Sequence, residues 1–379
     1  MKLADSCFVI TRFGKDQPGF LDFSYRIKSL ARQYRLTVVS DAPLTQPELQ
    51  LERAEYVVLQ GGKGRAGLLR YQWNCVRLIR MRRPSRVILL HSAVAPVALL
   101  SGPVPTAVYW NEHPTHFTTA PEGLAPVKRT VRSALRWLVF QGARQASLVM
   151  PIGEAHLEDL LAHGRDPRRT RLIYMGVDAA FARVALCGKP KNDDSPLELI
   201  YVGSVSKARG RDVMLEAVAL ANRQEIVARL TLVGAGADER EHCRDYARRL
   251  GIAEAVCVHG RVPGDEIPEF LKDADAGICI WEDRPWWRFN PPTKLFEYLV
   301  AGLPVLASNI RTHTQYVSDW HNGLIFQYDS VSLAEAIGKL RERRAELPAL
   351  KQRAWESGEQ YLWGRIEPEF LEAIEGLAQ

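Results

Sequence analysis

The sequence predicts an α/β protein made of two doubly wound, parallel-sheet domains, and three observations carry that expectation. Short apolar runs bounded by turn residues alternate with helical patterns from Phe8 to Phe326, the rhythm of parallel strands joined by crossover helices. A polar, turn-rich stretch from Ala185 to Pro196 breaks that rhythm near the middle and reads as a linker. The length, 379 residues, is long for one core and comfortable for two. A hydrophobic share of 46% and a charged share of 25% are those of an ordinary globular protein.

In the first half, strands are expected at Phe8–Thr11, Leu36–Ser40, Tyr56–Leu59, Val87–Leu90 and Val104–Trp110, with helices from about Leu21 and from about Leu68 to Arg82. Leu148–Pro151 and Leu172–Tyr174 continue that sheet. The second half repeats the alternation at Leu199–Val202, Leu230–Val233, Ala255–Val258, Gly277–Ile280, Val305–Ala307 and Gly323–Phe326, and beyond Ser330 the pattern is helical to Gln379. The expected boundaries are 1–185, 197–350 and a helical tail at 351–379. The most apolar region, Val87 to Tyr109, is broken by His91, Pro96, Gly102, Pro103 and Pro105, whereas a spanning helix needs about 20 predominantly apolar residues. Lys2 precedes only a short apolar run, Cys7 to Ile10, which reads as a first strand and is too short for a signal peptide. Six cysteines without CxxC spacing read as reduced thiols in a cytosolic protein. No cluster of His and Cys has metal-ligand spacing, so no metal is expected.

Charge is distributed unevenly. Residues 1–150 hold 21 Lys+Arg against 9 Asp+Glu, a net +12, inside a chain whose total is +6. That asymmetry suggests a partner for the first half alone, an anionic surface or a phosphate-bearing acceptor. Nucleic acid has no RNP-like strand, zinc finger or helix-turn-helix behind it and is not expected. Val127 to Phe140 reads as a helix with Lys128, Arg129, Arg132 and Arg136 within about 100° of one another, and with Val127, Val131, Ala134, Leu135 and Leu138 on another side. Trp137 and Phe140 are candidate interfacial anchors, and an anionic membrane surface is the expected partner.

The densest chemical signal is Asp275 to Ser308. It reads as a strand, a loop rich in Trp and Pro, a helix opening at Pro292–Thr293, and a second strand. Open α/β sheets bind ligands at the carboxyl ends of their strands, and a helix start offers free N–H groups to an anion. Lys294 lies in that first turn, where helix electrostatics disfavour a cation unless it faces a negative ligand. Glu297, three residues on, is placed to accept protons from hydroxyls beside a phosphate. A sugar nucleotide fits that description. The loop Gly203–Gly210 follows a strand and precedes a helix, so its backbone can wrap a phosphate with Arg209 and Lys207 nearby. LVGAGADE at 232–239 contains a GxG, but it lacks the third glycine of a dinucleotide fingerprint. Past the strand ending at Trp110, NEHPTHF supplies titratable groups, with Glu112 and His113 the candidates and His91 in reserve.

The stretch 275–308 resembles the donor signature of GT-B glycosyltransferases, in particular glycosyltransferase family 4. MGVD at 175–178, YVGSVSKARGRDVMLEAV at 201–218 and VHGRVPGDEIPEFLKDADAGI at 258–278 match in the family's order. The resemblance is dense over roughly 145 to 330. It implies a GT-B fold: two Rossmann-like domains, an interdomain cleft, and a C-terminal helix returning to the first domain, with Trp355, Tyr361 and Trp363 as candidate anchors. It also implies a UDP- or GDP-sugar co-substrate held by Gly203, Ser204, Arg209, Gly234, Asn290, Thr293, Lys294 and Glu297. Arg209 and Lys294 would stabilise the leaving diphosphate electrostatically, with retention of configuration and no metal. Two positions depart from the pattern. Ser204 stands where the family has an arginine, and Phe289 where it has the first of two glutamates, so sugar recognition differs here, through Asn290, backbone amides near Pro291 to Thr293, or Trp287. Trp286, Trp287 and Phe289 read equally as a packed hydrophobic plug. The loop Gly14–Gly19 occupies the place of the family's diglycine acceptor loop. The implied acceptor is a lipid-linked saccharide in surface-polysaccharide assembly, handled by a cytoplasmic protein peripheral to the inner face of the membrane. The alternatives are a GT-B sugar-nucleotide epimerase and a non-catalytic sugar-nucleotide-binding protein.

Overall fold

The computed structural model describes residues 5–12, 20–46, 49–118, 126–185 and 195–378. The loop Gly14–Gly19, most of the Ala185–Pro196 linker with Cys187, and the side chains of Val127 and Lys128 lie outside the described residues. The chain forms two compact units, Met1–Gly176 with Trp363–Gln379, and Val177–Leu362. The sequence boundaries lay at 185 and 351; the structure puts 177–185 and the helix Leu347–Gly358 in the second unit, because both pack on the helix Thr293–Val300 there.

Among the described residues the first unit holds six parallel strands: β1 (Ser6–Thr11), β2 (Arg35–Ser40), β3 (Ala54–Val58), β4 (Arg86–Leu90), β5 (Thr106–Trp110) and β6 (Leu148–Pro151), in the order β3-β2-β1-β4-β5-β6. The strands β4 and β5 are buried throughout, as expected of unbroken apolar runs covered on both faces. Leu172–Tyr174, expected as a further strand, is not one. It runs beside β6 with only two main-chain bonds, Arg171 N–H to the Val149 carbonyl at 3.0 Å and Ile173 N–H to the Pro151 carbonyl at 2.9 Å, too few for a ladder.

The second unit repeats the design with β7 (Leu197–Val202), β8 (Ala228–Val233), β9 (Val256–His259), β10 (Ala276–Cys279), β11 (Val305–Ser308) and β12 (Gly323–Phe326), ordered β12-β11-β10-β7-β8-β9. In each unit the winding reverses beside the unit's first strand, and a crevice opens at the carboxyl ends of the strands at such a switch point. Each unit has its own apolar core. Cys7, Cys75, Cys243 and Cys279 are buried free thiols, and Cys257 is exposed.

The last helix, Trp363–Glu375, belongs to the first unit and packs on the helix Phe20–Gln33. Trp363 stacks on Tyr25 with ring centres 5.8 Å apart, which makes it an anchor of the returning helix. Tyr361 and Trp355 do not serve that purpose. Both lie in the second unit, where Tyr361 packs on Phe296 at 4.3 Å. The basic helix spans Pro126–Gln145. Its core-facing residues are Val139, Phe140 and Ala143, so Phe140 is a core residue, stacked on His163 at 4.0 Å, and not an interfacial anchor; Trp137, 60° away around the helix, remains exposed. Among the described residues no helix is long and apolar enough to cross a membrane.

Candidate functional site

In the second unit, the loops after β7 and β8 touch each other, and glycine makes that contact possible. Gly234 has φ 113°, and a Cβ on it would fall 2.3 Å from the Gly203 carbonyl oxygen. Gly203, at φ 123°, would place a Cβ 3.0 Å from the Lys294 amino nitrogen. Only glycine adopts these angles without strain, and the result is a bare backbone rim with the Lys294 ammonium against it. The helix Thr293–Val300 that carries Lys294 is pinned to β7, because the Val202 N–H donates to the Tyr298 hydroxyl at 2.8 Å.

The Lys294 nitrogen sits 3.5 Å from the centre of the Tyr201 ring, a cation–π contact. Burial pulls its pKa down to about 7, the Arg209 charge acts in the same sense, and Glu297 opposes. Burial pushes Glu297 up to about 7, and Lys294 offsets part of that rise. Arg209 ends the short turn Lys207–Arg209 ahead of the helix Arg211–Ala221. Its guanidinium lies 4.1 Å from the Trp287 ring centre and 5.1 Å from that of Trp281. These two indoles stack at 4.8 Å. Trp281 is held by its N–H to the Ser308 hydroxyl at 2.9 Å, and Trp287 by its carbonyl, which accepts from Thr312 at 2.8 Å. The loop between β10 and the helix Thr293–Val300 is therefore a packed aromatic wall, and that wall also seats Arg209. Sequence reasoning ended the strand at Ile280 and left Trp281 unnamed in the Trp-rich loop that follows; an indole just past a strand's carboxyl end was the available signal.

The remaining predicted residues are distributed around this centre. Ser204 is exposed, and its carbonyl accepts from the Tyr201 hydroxyl at 3.0 Å. Asn290 and Phe289 are half-buried in that same loop, and Thr293 opens the helix that carries Lys294.

The first-unit candidates follow β5. The Glu112 carboxylate meets His91 Nε2 at 3.3 Å and hydrogen-bonds the His116 ring. Burial alone would raise Glu112, but the bonds from His116 and His91 hold it well below the usual carboxylate range. His113 differs in kind. It is buried, with Nδ1 2.7 Å from the Thr115 hydroxyl and Nε2 2.9 Å from an Asp159 carboxylate oxygen, so both ring nitrogens are engaged. Burial lowers its pKa, and Asp159 counteracts. The structure thus groups Glu112 with His91 and His116, and ties His113 to Asp159. Among the described residues no group of three or more His, Cys, Asp or Glu is placed to hold a metal ion.

Two doubly wound parallel-sheet units, with the final helix returned to the first, are the GT-B fold, and this chain is a GT-B protein resembling the group 1 glycosyltransferases. Residues 196–343 match the family model described as "Glycosyl transferases group 1". Over 193 residues the chain is 30% identical to a D-inositol 3-phosphate glycosyltransferase of Stackebrandtia nassauensis, covering 48% of this chain and 42% of that protein. It is 25% identical over 167 residues to a putative colanic acid biosynthesis glycosyltransferase, WcaL, of Salmonella typhimurium, covering 44% of this chain and 40% of that one. The match thus spans under half the length of either curated relative. Among solved structures, Anabaena HepE in complex with UDP superposes with a TM-score of 0.76 at 16% identity, over 98% of this chain and 100% of that one, a likeness of fold.

Proposed function

We propose that this chain is a glycosyltransferase that moves a sugar from a UDP- or GDP-sugar to an acceptor, with retention of configuration and without a metal. One observation carries the reading. Lys294 lies against the glycine rim of β7 and β8 and feels the charge of Arg209, so two desolvated cations converge at the carboxyl end of a parallel sheet. Cations so placed favour a diphosphate and its developing charge as the sugar departs. Gly203, Ser204, Gly234, Asn290 and Thr293 would border the nucleotide sugar, and Glu297 would take the ribose hydroxyls. On the first unit, Glu112, with His91 and His116 on its carboxylate, would meet the acceptor or the reacting sugar, and His113 would hold the strand end that carries it. The bound UDP of the HepE complex and the colanic acid role in the name of WcaL favour a nucleotide-sugar donor and a part in polysaccharide biosynthesis, and the net +12 of residues 1–150 suits a lipid-linked acceptor at an anionic surface. The basic helix Pro126–Gln145 would place the protein on the cytoplasmic face of an anionic membrane.

The test is release of nucleotide diphosphate from UDP- and GDP-sugars with and without a lipid-linked saccharide. Release that depends on acceptor supports transfer. Phe289 and Ser204, at positions where the family carries charge, favour a second reading as a non-catalytic sugar-nucleotide-binding protein. Tight binding with no release under any acceptor would select that one.

A further inference from the structure

The helix Gly64–Arg82 contains five arginines and no acidic residue, and from Tyr56 to Asn111 the chain has eight Lys+Arg without one Asp or Glu. One side of this helix, with Tyr71, Cys75 and Ile79, is fully buried in the core. The opposite side exposes 46% of Leu69, 51% of Trp73 and 73% of Met81. At 100° per residue these three fall within a sector of about 120° that also holds Arg70, Arg77 and Arg80. Among the described residues no carboxylate pairs with Arg70 or Arg77. Arg80 Nε donates to the Leu100 carbonyl at 3.1 Å, which brings the exposed Leu100 to the same edge. Leu100 closes the 3-10 segment Ser92–Leu99, and that segment packs against both the helix Gly64–Arg82 and the basic helix Pro126–Gln145, where Val131 and Trp137 are exposed.

We propose that the outer face of the helix Gly64–Arg82 is a docking surface for an anionic lipid bilayer. Leu69, Trp73 and Met81 enter the boundary between headgroups and acyl chains, and Arg70, Arg77 and Arg80 reach lipid phosphates. The inference rests on the membrane reading above but gives the inserting role to a different helix. Its argument is the alternation of two kinds of group on one exposed face. A phosphate-rich partner without hydrocarbon, such as nucleic acid, would use the arginines and leave Leu69 and Met81 in water. A second copy of this chain meeting the same face by two-fold symmetry would oppose arginine to arginine, at a cost of like-charge contact. A bilayer accepts both sets, since arginine stems lie along apolar surface while their heads stay at the phosphates.

The experiment is co-sedimentation of the full chain with vesicles of phosphatidylcholine and phosphatidylglycerol, beside vesicles of phosphatidylcholine alone. Leu69→Asp/Trp73→Asp should lower partitioning into anionic vesicles by about tenfold or more, with an unchanged circular dichroism spectrum because both residues are surface-exposed. Acyl chains brominated near the headgroup should quench the wild type more than Trp73→Phe. Full partitioning of Leu69→Asp/Trp73→Asp, together with loss in Arg129→Glu/Arg132→Glu/Arg136→Glu, overturns this inference and leaves the membrane reading standing on the other helix. Failure of the wild type to bind anionic vesicles at low salt overturns both. A dimer in solution that Leu69→Asp/Trp73→Asp dissociates, with no vesicle binding, assigns the face to self-association and overturns it as well.

Discussion

Lys294 concentrates the chemistry of the second unit in one atom. Its pKa of about 7 is set first by burial, so the amine is partly neutral near neutrality. The diphosphate proposed to bind beside it would favour the charged form and raise that value. For this group, affinity is then level below about pH 7 and falls as pH rises above it, with proton uptake on binding at pH 8. Calorimetry with UDP in buffers of different ionisation enthalpy measures that uptake; none at pH 8 would remove Lys294 from the phosphate. Lys294→Ala and Arg209→Ala should each weaken donor binding by about 2–5 kcal/mol, the usual loss for one desolvated charge partner, and normal affinity in both would sink the clamp. Glu297→Gln should weaken binding of nucleotide diphosphate as well as of sugar nucleotide, because the ribose is common to both. Sugar nucleotide weakened alone would move Glu297 from ribose to sugar.

The returning helix Trp363–Glu375 is secured at the scale of elements by a buried ion pair beneath it. Arg26, on the helix Phe20–Gln33, is fully buried and pairs with Asp22 at 3.0 Å, and its guanidinium lies 4.8 Å from the Phe370 ring centre and 4.0 Å from that of Tyr109. Asp22 also accepts the Gly176 N–H at 2.8 Å and the Tyr109 hydroxyl at 2.5 Å, so one carboxylate joins β5, the end of the first stretch of the unit, and the helix on which the tail packs. Removing one partner strands the other without water. Asp22→Ala should destabilise the first unit by about 3–5 kcal/mol, read from urea denaturation. A loss under 1 kcal/mol would show that solvent reaches Arg26.

Charge separation is a property of the whole molecule. A net +12 on residues 1–150 against a total of +6 leaves the rest of the chain acidic, so attraction to an anionic surface belongs to the first unit and weakens with salt. Anionic-vesicle binding should therefore fall steeply between low and physiological ionic strength, and co-sedimentation across a salt series measures it. Because Arg209 and Lys294 are proposed to neutralise the diphosphate in place of a metal, transfer should survive EDTA without loss. Inactivation by EDTA that magnesium or manganese restores would require a metal in the reaction.

The sequence by itself determined both sheets, every strand described in them, and the position of Lys294 at a helix start, because apolar runs and turn residues are local signals that burial reads directly; its one surplus strand was Leu172–Tyr174. It also marked the glycine turn at Gly203, since glycine at a strand end needs no distant partner to be recognised. Only the tertiary structure decided which aromatic groups face which charge. Trp281 lies far from Arg209 in sequence yet borders its guanidinium, and Phe140 points into the core while Trp137, three residues before it, stays in solvent. His113 turned inward to Asp159, 46 residues away, and Glu112, its neighbour, gathered His91 and His116. Tyr361 and Trp363 are two residues apart and fall in different units. Periodicity fixes the face a residue takes on its own element, but the partner across that face is chosen by packing, and packing is settled only when the elements come together.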